Sequence, residues 1–163
     1  MTFENAAPTI LNMEGRNEQT KNYHKMREQA RVFYTQIIKI NCPAFNNEPV
    51  YFTAGGFRHL VCKSNRKERQ KNVQVAKFGL LKKVVFLISR TTTHQEYEER
   101  LLQGRLIQYW GFVAIINNFR IKVIVHQIGY GKKEFLSVIP AWKIYHYKDI
   151  KLISNAVGDL GDD

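Results

Sequence analysis

The sequence predicts an α+β domain, with N-terminal helices followed by a C-terminal antiparallel β-meander. Three observations predict it. Apolar residues between Tyr23 and Ile40 recur at alternating spacings of three and four. A strongly basic stretch with helical texture then extends to about Leu81. Residues 106–116, 120–128 and 134–139 are rich in Ile, Val and aromatics and are separated by short turn-type connectors.

Taken in order, residues 1–20 are polar and mixed, which suits a flexible or loosely docked arm. Tyr23, Met26, Ala30, Phe33, Ile37 and Ile40 mark one face of a helix over residues 21–40. Lys25, Arg27, Glu28, Gln36 and Lys39 fall on its other face, and Asn41 and Pro43 end it. Val50, Tyr51, Phe52 and Thr53 form a short β-prone run. Ala54, Gly55 and Gly56 read as a turn, because glycine reaches backbone conformations closed to other residues. Residues 57–63 suit one or two helical turns, and Asn65 suits the cap of a second helix through about Leu81. Residues 84–88 are either a buried strand or a buried helical turn, a choice periodicity alone does not make.

Thr91 to His94 form a polar connector, and residues 96–103 read as a short acidic helix or an irregular loop. Three strands of a meander follow. In the middle one, Ile121, Val123 and Val125 alternate with Lys122, Ile124 and His126. In the third, Phe135, Ser137 and Ile139 share a face until Pro140 ends the strand. Residues 142–153 read as an edge segment or short helix, and residues 155–163 as an acidic tail. Residues 21–154 thus form a single domain.

Composition narrows the class. With 163 residues, 44% hydrophobic and 12% aromatic, the chain has the material for a core, which excludes wholesale disorder. Cys42 and Cys62 are too few for a disulfide scaffold, so a reducing cytoplasm is the expected setting. No membrane span is expected, since no apolar run reaches about 18 residues. The first residues lack the basic start and apolar run of a secretory signal.

The net charge of +11 is concentrated in one segment. Residues 58–90 carry +9, and the flanking stretches 1–57 and 91–163 carry +1 each. Such a concentration opposes folding through self-repulsion unless a polyanion or an acidic partner relieves it. Nucleic acid is therefore the leading partner, and Arg58, Arg66, Lys67, Arg69, Lys71 and Lys132 are the candidate binding residues.

Several chemistries find no support. The sequence has no phosphate-binding loop, no dinucleotide fingerprint and no nucleophile elbow. The five histidines and two cysteines lack metal-ligand spacing, and the central region has few carboxylates. Neither a metal nor a cofactor is expected. Metal-independent cleavage of RNA stays open. It needs a base for the 2′-hydroxyl, an acid for the leaving oxygen and cations for the phosphate. His59, Lys63 and Arg66 would share a face if residues 59–66 were helical. Nearby cations would then lower the pKa of His59 and suit it to the base role. His126 is a second candidate, with Ser137 as its expected cross-strand neighbour. Tyr109, Trp110 and Tyr130 are candidates for stacking on bases. His24, His94 and His146 have no such company and read as structural.

The β-prone run and turn leading to Gly56-Phe57-Arg58-His59-Leu60, Lys63 four residues beyond His59, the basic stretch ending in Leu80-Leu81, and the meander through Val125-His126-Gln127 and Leu136-Ser137-Val138 have a familiar order. They resemble the barnase–EndoU–colicin–RelE-like superfamily of phage and toxin nucleases over residues 50–140. The resemblance implies a metal-independent, toxin-like ribonuclease held in check by an acidic antitoxin or immunity protein. It places His59 and Lys63 at catalytic positions, with His126 and Ser137 at the typical polar strand positions. Members often carry a second histidine closely after the first, whereas this chain continues Cys62-Lys63-Ser64-Asn65-Arg66. A binding protein using the same basic segment, or a basic scaffold for an acidic protein, are the rival expectations.

Overall fold

In the computed structural model, the backbone is described for residues 10–143, and side chains for residues 18–118 and 120–140. The expected segments beyond residue 143, including the acidic tail, lie outside the described residues, as do residues 1–9.

Helix α1 spans Ile10–Ile37, so residues from Ile10 onward in the expected arm are helical. It ends earlier than the apolar spacing suggests. Ile38 adopts a left-handed conformation (φ 60°), which stops the helix, and its carbonyl accepts from the Phe52 amide at 2.8 Å. Strand β1, Lys39–Cys42, begins immediately. Ile40 therefore continues the spacing as a strand residue. A 3-10 turn, Pro43–Phe45, leads to β2, Glu48–Tyr51, which pairs antiparallel with β1.

Ala54, Gly55 and Gly56 are not a turn but the first residues of α2, Ala54–Val61. Gly56 is needed for close packing. A Cβ there would lie 2.2 Å from the Tyr34 hydroxyl and 2.5 Å from the Phe135 carbonyl oxygen. Asn65 caps no helix. Its Oδ1 accepts from the Lys67 amide at 3.0 Å within a loop, and the next helix, α3, spans Lys71–Gly79. The chain bends at Gly79–Leu80 into α4, Leu81–Arg90, so the apolar run 84–88 is helical. Leu81, Val84, Leu87 and Ile88 are its buried stripe.

The acidic stretch after the connector is neither helix nor loop. It is edge strand β3, Glu96–Leu102, paired with β4, Arg105–Ile116. Gln103 and Gly104 both have positive φ, as a tight two-residue hairpin requires. Asn117 and Asn118 make the same kind of turn into β5, Phe119–Ile128. Strand β6, Lys133–Lys143, runs through Pro140, which sits opposite Ile121 beside a register irregularity that accommodates it.

The sheet order is β1-β2-β6-β5-β4-β3. The fold is thus mixed, with most of the helix N-terminal and most of the sheet antiparallel. It departs from a plain meander because the β1–β2 hairpin joins the far edge through parallel pairing of β2 with β6, Val50 opposite Lys133. Helices α2 and α3 pack on β6, and α4 packs on β1 and β4. Between them lies the main core, including Tyr34, Leu60, Phe78, Val84, Phe112, Val123 and Phe135. A second, smaller cluster of Tyr109, Ile124 and Leu136 forms separately on the sheet. A register shift at Ile124/Val125 disrupts the alternation expected of β6. Phe135 and Val138 both join the main core, whereas Ile139 packs against the second cluster.

Candidate nucleic-acid interface

The basic cleft is built from the end of α2 and the loop that follows. Arg58, His59, Cys62, Lys63, Ser64 and Arg66 line a cleft of about 230 Å³. Residues 59–66 do not form the expected helix, because α2 ends at Val61. The loop brings the same residues together instead. Cys62 bridges Glu68 in antiparallel fashion, and the Lys63 amide donates to the Lys67 carbonyl at 2.8 Å. The Arg66 amide donates to the Lys63 carbonyl at 2.9 Å, with Arg66 in the left-handed region (φ 64°). This tight turn holds Lys63, Arg66 and Lys67 outward, where all three are exposed.

Arg69 has a different place from the one expected. It is buried, and its Nε donates to the His59 carbonyl at 3.0 Å. The C-terminal end of a helix carries partial negative charge, which repels anions. A guanidinium on one of its last carbonyls offsets that charge beside the cleft. Arg69 therefore supports the cleft rather than lining it. Lys63, Lys67 and Arg69 also border an adjoining cleft of about 370 Å³, which extends to Gln70 and Val73 at the start of α3.

A polar network fixes this loop to two helices. The Tyr23 hydroxyl of α1 donates to Gln74 Oε1 of α3 at 2.5 Å. The Gln74 amide nitrogen donates to the Arg69 carbonyl at 2.7 Å and to Glu68 Oε1 at 3.2 Å. Gln74 is wholly buried, so leaving these bonds unmade would cost about 1–3 kcal/mol. Lys71 sits at the start of α3 with its ammonium 5.1 Å from the Tyr23 ring centre.

The other candidate catalytic residues are not in this cleft. Ser137 is fully buried on β6 and accepts from Lys77 Nζ of α3 at 3.2 Å. Lys77 Nζ also donates to the Val138 carbonyl at 2.7 Å, so this lysine is an internal strut rather than a surface cation. Ser137 lies opposite Ile124, not beside His126, whose partner across the strands is Glu134. His126 Nε2 is 3.5 Å from Glu134 Oε2, and its ring lies 6.2 Å from that of Tyr109, a member of the second cluster. Burial holds the His126 pKa below its usual value, although Glu134 draws it upward.

Among the stacking candidates, Tyr109 and Trp110 are buried, and Trp110 packs edge-on against Phe45. Tyr130 is fully exposed on the β5–β6 turn. Lys132, on the same turn, places its ammonium 4.4 Å from the Tyr51 ring centre and does not line the cleft.

Sequence reasoning missed Ser64 and Cys62 as lining residues, and the buried positions of Lys77 and Arg69. No periodic signal separates a buried lysine from an exposed one in a basic run. Among the described residues, no group of three or more His, Cys, Asp or Glu is placed to hold a metal ion. Among the same residues, no helix is long and apolar enough to cross a membrane. No family model matches the sequence, and comparison with curated proteins and with solved structures gives no significant match.

Proposed function

We propose that this protein binds RNA through the phosphate backbone, using the cleft at the end of α2 and the loop beyond it. The observation that carries this reading is that Arg58, Lys63 and Arg66 line one cleft together with His59. Exposed lysine and arginine side chains suit phosphate oxygens, and arginine can grip two at once. The binding would be dominated by release of counterions and would weaken steeply with salt. Replacing Lys63 and Arg66 by glutamine should reduce the salt slope by about 1.4 on single-stranded RNA, at about 0.7 per phosphate contact. A wild-type affinity indifferent to salt would overturn the reading.

The position of His59 favours a second reading, in which the bound RNA is also cleaved. A titratable imidazole among cations meets two requirements of metal-independent cleavage, proton transfer and stabilisation of the phosphate. The resemblance to the barnase–EndoU–colicin–RelE-like nucleases points the same way. On this reading His59 acts without His126 and Ser137 as direct partners. His59→Ala should lower EDTA-resistant RNA cleavage at least about a hundredfold, while RNA affinity changes little. RNA left intact by clean wild-type protein would leave binding as the whole activity.

A further inference from the structure

The cationic surface does not stop at the cleft. Lys63 borders both the His59 cleft and the adjoining one, which reaches the first residues of α3. The same first turn of α3, through Lys71 and Asn72, lines a groove of about 490 Å³ against α1. Gln19 and Asn22 of α1 line that groove and also the next depression along the helix, about 570 Å³, which carries Lys21 and Lys25. Each concavity thus shares residues or a helical turn with its neighbour. The seam between α1 and α3 is held by the Tyr23–Gln74 hydrogen bond, so the groove has a fixed floor.

The lining suits a single strand: cations at its edges can meet phosphates, and Tyr23, Met26 and Val75 give the α1–α3 groove a largely apolar wall on which bases can rest. Lys21, Lys25 and Lys71 are exposed, and between them stand the neutral polar side chains of Gln19, Asn22 and Asn72. Among the described residues, two carboxylates lie on the route. Glu68 is engaged by Gln74 and lies 3.9 Å from Arg27, and Glu18 lies at the far end with Lys21 and Lys25. Among the described lining residues, cations outnumber these two carboxylates. A duplex presents a stiff convex surface, whereas a single strand can bend through successive small concavities.

We propose that single-stranded RNA runs from the His59 cleft past the start of α3 into the α1–α3 groove, with Lys21 and Lys25 of α1 as its distal phosphate contacts. This rests on the RNA-binding reading above and extends it to strand type and path. Under it, affinity grows with oligonucleotide length beyond what the His59 cleft alone can hold. The test compares a trinucleotide, a single-stranded oligoribonucleotide of about 12 nucleotides and a duplex of the same length, each titrated across salt. The proteins are wild type and the double variant Lys21→Gln/Lys25→Gln, exposed changes between residues of similar helix propensity.

Wild type should bind the long single strand more tightly than the trinucleotide and the duplex. The double variant should lose about 1.4 of the salt slope on the long strand, at about 0.7 per contact, and keep its trinucleotide affinity. Unchanged trinucleotide binding also shows that the variant is folded. An unaltered slope on the long strand, or a duplex bound as well as the single strand, overturns the proposed path while RNA binding stands. Failure of wild type to bind any of the three removes the underlying reading, and the path with it.

Discussion

Single residues explain much of how the cleft is held in place. Gly56 lets α2 lie against β6, and any side chain there would meet the Phe135 backbone and the Tyr34 hydroxyl. Gly56→Ala should therefore destabilise the fold by about 2–3 kcal/mol in urea unfolding, at the upper end for overpacking. His126 makes a separate contribution that depends on pH. Its folded pKa is depressed, so the unfolded chain takes up its proton more readily. The associated stability is present above about pH 6.5, the unfolded value, and is lost as pH falls below it. Denaturation midpoints should drop between pH 7 and pH 5, and His126→Gln should flatten that drop. The cationic residues of the cleft are legible from charge, because Arg58, Lys63 and Arg66 cluster in sequence and line one cleft. Lys77 and Arg69 are not, since the bonds that bury them come from Ser137, Val138 and His59, residues distant along the chain or on another element.

At the scale of elements, the meander and the apolar stripe of α1 were legible, and the boundaries were not. The spacing of three and four runs on through Ile40, but the backbone reverses at Ile38, and hydrophobic periodicity carries no information about φ. A β-branched residue in the left-handed region costs about 1–2 kcal/mol. Ile38 is 65% exposed, so little packing compensates. Ile38→Gly should raise stability by about 1 kcal/mol, measured as a shift in the urea midpoint at constant slope. Strand β3 was hidden for a different reason. It is an edge strand with glutamates at 96, 98 and 99, a composition that discourages pairing with other chains and also weakens the strand signal. The loop after α2 is not legible in the sequence, because Asn65 suits a helix cap and an Asx turn equally well.

For the whole molecule, the charge of +11 sets the response to ions. Seven of the ten basic residues of segment 58–90 are exposed rather than buried or half-buried. Their mutual repulsion favours the unfolded chain at low ionic strength, and salt screens it with a Debye length of about 8 Å near 0.15 M. The melting temperature should rise by a few degrees between about 0.01 M and 0.15 M salt, and a short RNA strand at low salt should have the same effect. A melting temperature that falls over this range would show that ion pairs outweigh repulsion.

The parallel pairing of β2 with β6 has a consequence for how the chain acquires this shape. Val50 waits for Lys133, and everything from α2 to β5 lies between them. Closing so long a loop costs entropy before its contacts can repay it, which slows folding. Helix α2 has its seat on β6, with Gly56 against Phe135. During synthesis, the segment bearing His59 emerges well before the strand that positions it. The cleft is therefore a late product of folding: a chain halted before β6 would carry its cations without the surface that organises them.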